Sequence, residues 1–170
     1  SHVTKICGYA FESCSKLESV EIKRDSNLNT IEYKAFSDSS IKSIFIPTHV
    51  KKIDFQTFHN CKNLRKIEFP LDSELFLIEN EAFSCSAIDE ITIPSSVTKI
   101  GSLAFKDCNN LRNIEIPSDS QLKTIEKNAF AHSSIEKIFI PPYVAKICDQ
   151  TFFSCFNLQQ IEFAPNSQLQ

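Results

Sequence analysis

The sequence predicts an α/β solenoid: a right-handed, gently curved coil in which short parallel strands line a concave sheet and short helical turns lie on the opposite side. Three observations predict it. Phe11, Phe58, Phe105 and Phe152 recur every 47 residues, and so do Cys14, Cys61, Cys108 and Cys155. A second series, Phe36, Phe83 and Phe130, keeps the same interval. Aliphatic triplets recur almost evenly, every 23 or 24 residues. A fixed period of this size marks stacked units, each burying its apolar face only against its neighbours. The chain therefore reads as a single domain over 1–170, built from seven half-units of alternately 25 and 22 residues.

The strands are expected at the triplets Leu17/Val20/Ile22, Ile41/Ile44/Ile46, Leu64/Ile67/Phe69, Ile88/Ile91/Ile93, Leu111/Ile114/Ile116, Ile135/Ile138/Ile140 and Leu158/Ile161/Phe163. Apolar residues at the first, fourth and sixth places of a β-branched run suit a strand entered from a turn. Even spacing lets seven such strands stack in register as a parallel sheet, whose crossovers are right-handed by rule. Pro47, Pro70, Pro94, Pro117 and Pro141 follow these runs, and a residue without an N–H ends a ladder. The segment Ile-x-x-x-Ala-Phe, as at Ile100–Phe105, has the spacing of one or two helical turns. Its Phe column is expected to form an aromatic spine. Asp25, Asp72, Asp119 and Asn166, each followed by Ser, are expected to cap the turn after the strand with their side chains.

The composition bounds the function. A net charge of −3 offers no basic face for nucleic acid, and no run of apolar residues is long enough to span a membrane. The repeat starts at once and breaks off at Leu169, which reads as a piece cut from a longer array. The 7 cysteines leave at least one thiol unpaired. Those of the 47-residue ladder should lie two strand spacings apart, roughly 10 Å, too far for a disulfide. Cys85, between Cys61 and Cys108, is the one with plausible bonding neighbours. No CxxC or Cys/His spacing marks a zinc site, and the Asp column is too widely spaced for calcium. Neither a metal nor a cofactor is expected.

The string at residues 93–117, I-P-S-S-V-T-K-I-G-S-L-A-F-K-D-C-N-N-L-R-N-I-E-I-P, resembles the BspA-like leucine-rich repeat family. The resemblance runs through all seven half-units. The usual Asn/Cys position of leucine-rich repeats holds Asp25, Asp72, Asp119 and Asn166 in long units but His49, Ser96 and Tyr143 in short ones. The family implies surface-exposed proteins of mucosal bacteria and parasitic protozoa, used in adhesion to host cells or matrix proteins. Abundant Ile, Lys, Asn, Ser and Phe with 2 Gly resembles an AT-rich coding sequence, a weak pointer to a protozoan. An intracellular scaffold on the same repeat is the alternative. Oligomerisation through uncapped ends is a further expectation, and membrane insertion is not.

Catalysis has little to stand on. His2, His49, His59 and His132 occupy unrelated repeat places, and no nucleophile elbow or glycine-rich phosphate loop occurs. The outward strand positions are the more informative. The fifth place of each run reads Glu21, Phe45, Glu68, Thr92, Glu115, Phe139, Glu162, and the second reads Glu18, Lys42, Arg65, Asp89, Arg112, Glu136, Gln159. Arg65 and Arg112 are expected to pair diagonally with the Glu column. Phe45 and Phe139 interrupt a charged surface as potential interface anchors, with partial cover by Lys or Arg stems as the competing expectation. The partner site is therefore expected on the concave face at Phe45, Arg65, Glu68, Arg112, Glu115 and Phe139, with a protein as the partner and no catalytic residue.

Overall fold

The computed structural model describes residues 2–169. Seven two-residue strands, one per half-unit, follow one line of the stack in two hydrogen-bonded sheets: β1 (Lys5–Ile6) with β2 (Thr30–Ile31), and β4 (Lys52–Ile53), β6 (Leu77–Ile78), β8 (Lys99–Ile100), β10 (Thr124–Ile125) and β12 (Lys146–Ile147) together. Six longer strands follow a second line: β3 (Ser43–Phe45), β5 (Lys66–Glu68), β7 (Glu90–Thr92), β9 (Asn113–Glu115), β11 (Lys137–Ile140) and β13 (Gln160–Phe163). Every pairing is parallel and joins strands one half-unit apart. The longer strands make the sheet that the triplets predict, with two departures. The first triplet, at the end of the stack, contributes only a bridge from Ser19 to Ser43. Strands β5 and β7 fall in separate hydrogen-bonded sheets, linked by Asp89 N–H to Arg65 C=O at 3.3 Å.

The expected helical turns are absent: no helix occurs among the described residues. The Ile of Ile-x-x-x-Ala-Phe ends a two-residue strand, and the rest is a chain of tight turns. Around Phe36, the N–H groups of Ala35, Ser37 and Ser39 donate three residues back, to Glu32, Lys34 and Phe36 C=O. The alternate N–H groups of Lys34, Phe36 and Asp38 donate to Phe55, Thr57 and His59 C=O of the next coil at 2.9, 3.0 and 2.9 Å. Packing explains why. The coils stack at about the strand spacing of ~4.8 Å, whereas an α-helix with its side chains is ~10–12 Å wide. Helices one per coil cannot stack at that pitch, but turns that share hydrogen bonds between coils can.

The turns place two residues per half-unit at positive φ, among them Lys34 (53°), Asp38 (58°), Leu103 (60°) and Asp107 (56°). Each such residue costs roughly 1–2 kcal/mol if it is neither Gly nor Asn/Asp, a cost offset by the inter-coil hydrogen bonds. Gly101 serves close approach instead: a Cβ there would lie 2.7 Å from the Asn80 backbone nitrogen.

The Phe spine forms as expected. Phe11, Phe36, Phe58, Phe83, Phe105, Phe130 and Phe152 stack near-parallel, with successive centroids 5.1, 5.5, 5.4, 5.2, 5.3 and 5.7 Å apart. The five inner rings are fully buried, and the two outer ones partly. Beside the spine runs a column in which Ser39, Ser86 and Ser133 alternate with Cys61, Cys108 and Cys155, Oγ to Sγ at 3.6, 3.5 and 3.4 Å. Each of these thiols donates to the carbonyl of the preceding spine residue, Phe36, Phe83 or Phe130, at 3.0–3.1 Å. Ser86, rather than Cys85, thus occupies the coil between Cys61 and Cys108. Cys85 takes the positive-φ place one residue earlier, with its thiol toward Asp107 at 3.9 Å. All seven cysteines are free.

The turn after the strand is held by serine, not by the preceding Asp. Ser26, Ser73, Ser120 and Ser167 Oγ accept the N–H of the Leu two residues on at 3.2–3.3 Å. Three of them are buried, so their short hydroxyls fit under the turn, while Asp25, Asp72 and Asp119 remain exposed.

Candidate protein-binding face

Strand alternation builds the face. In β5 and β9 the central Ile67 and Ile114 point into the core, leaving Lys66, Glu68, Asn113 and Glu115 outward. The outward side of the longer strands floors an open depression of about 1140 Å3, lined by five carboxylates against two ammonium groups. Of the six residues expected from the sequence, Glu68, Glu115 and Phe139 line it. Phe45, Arg65 and Arg112 do not line it: Phe45 is at the end of β3, and Arg65 and Arg112 are exposed residues just before β5 and β9.

The second-place column neutralises itself. Lys42 pairs with Glu18 at 2.6 Å, and Arg65 with Asp89 at 2.9 Å. The diagonal pairing expected of Arg65 with the Glu column does not form, because an acid at its own place on the next strand is nearer. Arg112 makes no ion pair among the described residues.

The fifth-place column is organised by residues that sequence reasoning missed. The Arg24 guanidinium lies over the Phe45 ring, 4.8 Å from its centroid, and reaches Glu68 at 3.7 Å. Lys66, on the same strand as Glu68, pairs with it at 2.8 Å. The Lys66 ammonium holds the Glu68 carboxyl below the usual carboxylate range, with the Arg24 charge adding to the effect. Register sets Phe45 beside Glu68 and Phe139 beside Glu162, and the Lys137–Asn113 pairing brings Phe139 beside Glu115 as well. The Thr92 hydroxyl donates to Glu115 Oε2 at 3.0 Å. Phe139 is half-buried, yet among the described residues no cation covers it.

No group of three or more His, Cys, Asp or Glu side chains is disposed to hold a metal among the described residues. Among the same residues, no helix is long and apolar enough to cross a membrane.

The chain matches the family model described as "BspA type Leucine rich repeat region (6 copies)" over residues 1–76 and 76–169. Among solved structures it is similar to a leucine-rich repeat protein from Bacteroides ovatus, at 32% identity and a TM-score of 0.85 over 97% of this chain. It is also similar to the pneumococcal vaccine antigen PcpA, at 29% identity and a TM-score of 0.74 over 96% of this chain. A leucine rich cell surface protein from Faecalibacterium prausnitzii shares the fold at 24% identity and a TM-score of 0.59, over 82% of this chain and 43% of its own. The chain spans 42% of the Bacteroides protein and 36% of PcpA. No curated protein matches it.

Proposed function

The chain belongs to the BspA-type leucine-rich repeat family, and from that premise we propose that it is a non-catalytic module that binds a protein on the outward face of the longer strands. One observation carries the reading: the depression on that face holds a half-buried aromatic, Phe139, with acidic groups on both sides. Aromatics contribute most of the contact energy at protein interfaces, while solvated charges set orientation and association rate. The finer reading is adhesion at the cell surface to a host cell or matrix protein. A relative at 29% identity is a vaccine antigen, which supports surface display.

One observation favours a second reading, an intracellular scaffold. All seven cysteines are free thiols, and Cys7 is exposed, as suits a reducing compartment. Limited proteolysis of intact source cells separates the two, since a surface protein is cleaved without lysis.

The test of the site is a binding series on immobilised protein with host-cell extracts and matrix proteins, read as dissociation constants. The double variant Phe45→Ala/Phe139→Ala is expected to weaken a bound partner by about tenfold or more, with unchanged circular dichroism and most of the loss from Phe139. A partner indifferent to both substitutions would move the site to the loops at Asp25, Asp72 and Asp119.

A further inference from the structure

The strand face carries the same side-chain arrangement twice, and one copy is filled by the protein itself. In the first copy Phe45 lies between Glu21 and Glu68, and the Arg24 guanidinium rests on the ring and reaches Glu68. Two 47-residue periods on, Phe139 lies between Glu115 and Glu162. The residue at the place of Arg24 is now Ser118, which is exposed and too short to reach the ring. The residue at the place of Lys66 is Gln160, so Glu162 has no lysine beside it on its own strand. The other changed neighbour is Lys137 in place of Ser43, on the strand of Phe139 itself. It forms no ion pair among the described residues. The five carboxylates of the depression, Asp119 and Glu90 among them, outnumber its two lysines.

Resting on the protein-binding reading above, we propose that Glu115, Phe139 and Glu162 form a receptor for an arginine side chain of the partner protein. The first copy supplies the precedent: the ligand that this Glu–Phe–Glu arrangement holds is a guanidinium, stacked on the aromatic face and directed to a flanking carboxylate. A planar, weakly hydrated cation suits both contacts at once, since it stacks on a ring and donates in its plane. Charge complementarity runs the same way, because the floor is acidic and offers the second ring no cation of its own. Thr92 keeps Glu115 oriented through its hydroxyl at 3.0 Å. Of the changed places, Arg24 against Ser118 is the one that removes the internal guanidinium from the ring face. The partner therefore presents an arginine from an extended or looped segment that can enter the open depression.

The experiment is a heteronuclear NMR titration of the isotope-labelled chain with blocked Gly-Arg-Gly, and with its citrulline counterpart, which keeps the shape and removes the charge. The arginine peptide is expected to give saturable shifts at the Phe139 ring and at Glu115 and Glu162, with the citrulline peptide about tenfold weaker. Two substitutions at exposed places make the logic specific. Ser118→Arg should fill the second copy from within and abolish those shifts, whereas Arg24→Ser should uncover Phe45 and add a second set of shifts there. Equal binding of both peptides, or full binding by a Ser118→Arg variant with native circular dichroism, would overturn the proposal. So would the lack of any saturable shift at Phe139. If a partner protein still loses affinity on Phe139→Ala in that last case, the protein-binding reading stands and the arginine assignment alone falls.

Discussion

Replacing Phe105 with Ala tests the architecture at its centre. The ring is fully buried and stacked on Phe83 at 5.2 Å and Phe130 at 5.3 Å. Removing it loses roughly 1.5–3 kcal/mol of apolar burial, and two stacked pairs at roughly 0.5–1.5 kcal/mol each. The coils above and below are tied by backbone hydrogen bonds on both sides of the ring, so they cannot collapse into the space. The expected loss is therefore about 3–5 kcal/mol, the usual range for a buried aromatic that leaves a cavity. Phe152 is the internal control: it is partly exposed and stacks on one neighbour only, at 5.7 Å, so its Ala variant should lose about half as much. Urea unfolding followed by circular dichroism measures both. A solenoid is held by nearest-neighbour contacts, so a weak central coil should also lower the apparent m-value as the two halves uncouple. A loss below about 1 kcal/mol at Phe105, or an equal loss at Phe152, would refute the reasoning.

Leu103 sits at φ 60°, so Leu103→Gly should leave thermal stability unchanged or raise it by up to about 1 kcal/mol; in a helix the same change would cost about 1 kcal/mol. Ser120→Ala removes the hydroxyl that accepts Leu122 N–H at 3.2 Å beneath a turn, and should lower stability by about 1 kcal/mol in urea titration. Burial pushes the Cys61 and Cys108 thiols up to about 11 and about 12, against 9.0 for a free thiol. Below the free-thiol value their contribution to stability is complete. Above it the unfolded chain ionises first, so stability falls as pH rises toward those raised values. Urea midpoints measured across that alkaline range should fall more steeply for the native chain than for Cys108→Ala, and parallel curves would contradict it.

Much of the fold is legible because stacking repeats its demands. A residue that faces the core must do so in every coil, so Phe, the aliphatic triplet and the Ser/Cys place each write a visible column into the sequence. The error over Ile-x-x-x-Ala-Phe came from reading one coil alone. Apolar residues at i, i+4 and i+5 fit a helix locally, but the near-even interval between coils already implies a pitch too small for stacked helices. The two-residue strands had their own signal, the recurring pairs Lys5–Ile6, Thr30–Ile31, Lys52–Ile53, Leu77–Ile78, Lys99–Ile100, Thr124–Ile125 and Lys146–Ile147. Cys85 misled for a related reason: backbone at positive φ turns its side chain away from the column that Ser86 joins.

The candidate site is less legible because function in a repeat protein resides where the repeat is broken. Core places cannot vary without disturbing both neighbours, so they carry no information about a partner. The outward fifth place can vary, and the sequence shows as much at Phe45 and Phe139. What it does not show is that these two rings differ. Both follow a Glu and precede a Glu in the same column, and both stand in an Ile-Phe-Ile run. The difference that bears on the ring face lies three residues beyond that preceding Glu, where successive long units read Arg24, Leu71, Ser118 and Pro165. Only the stacked coil brings that place over the ring of the next strand, as the 4.8 Å contact of Arg24 with Phe45 shows. A change at a loop position, silent along the chain, therefore decides which aromatic is left for another molecule to cover.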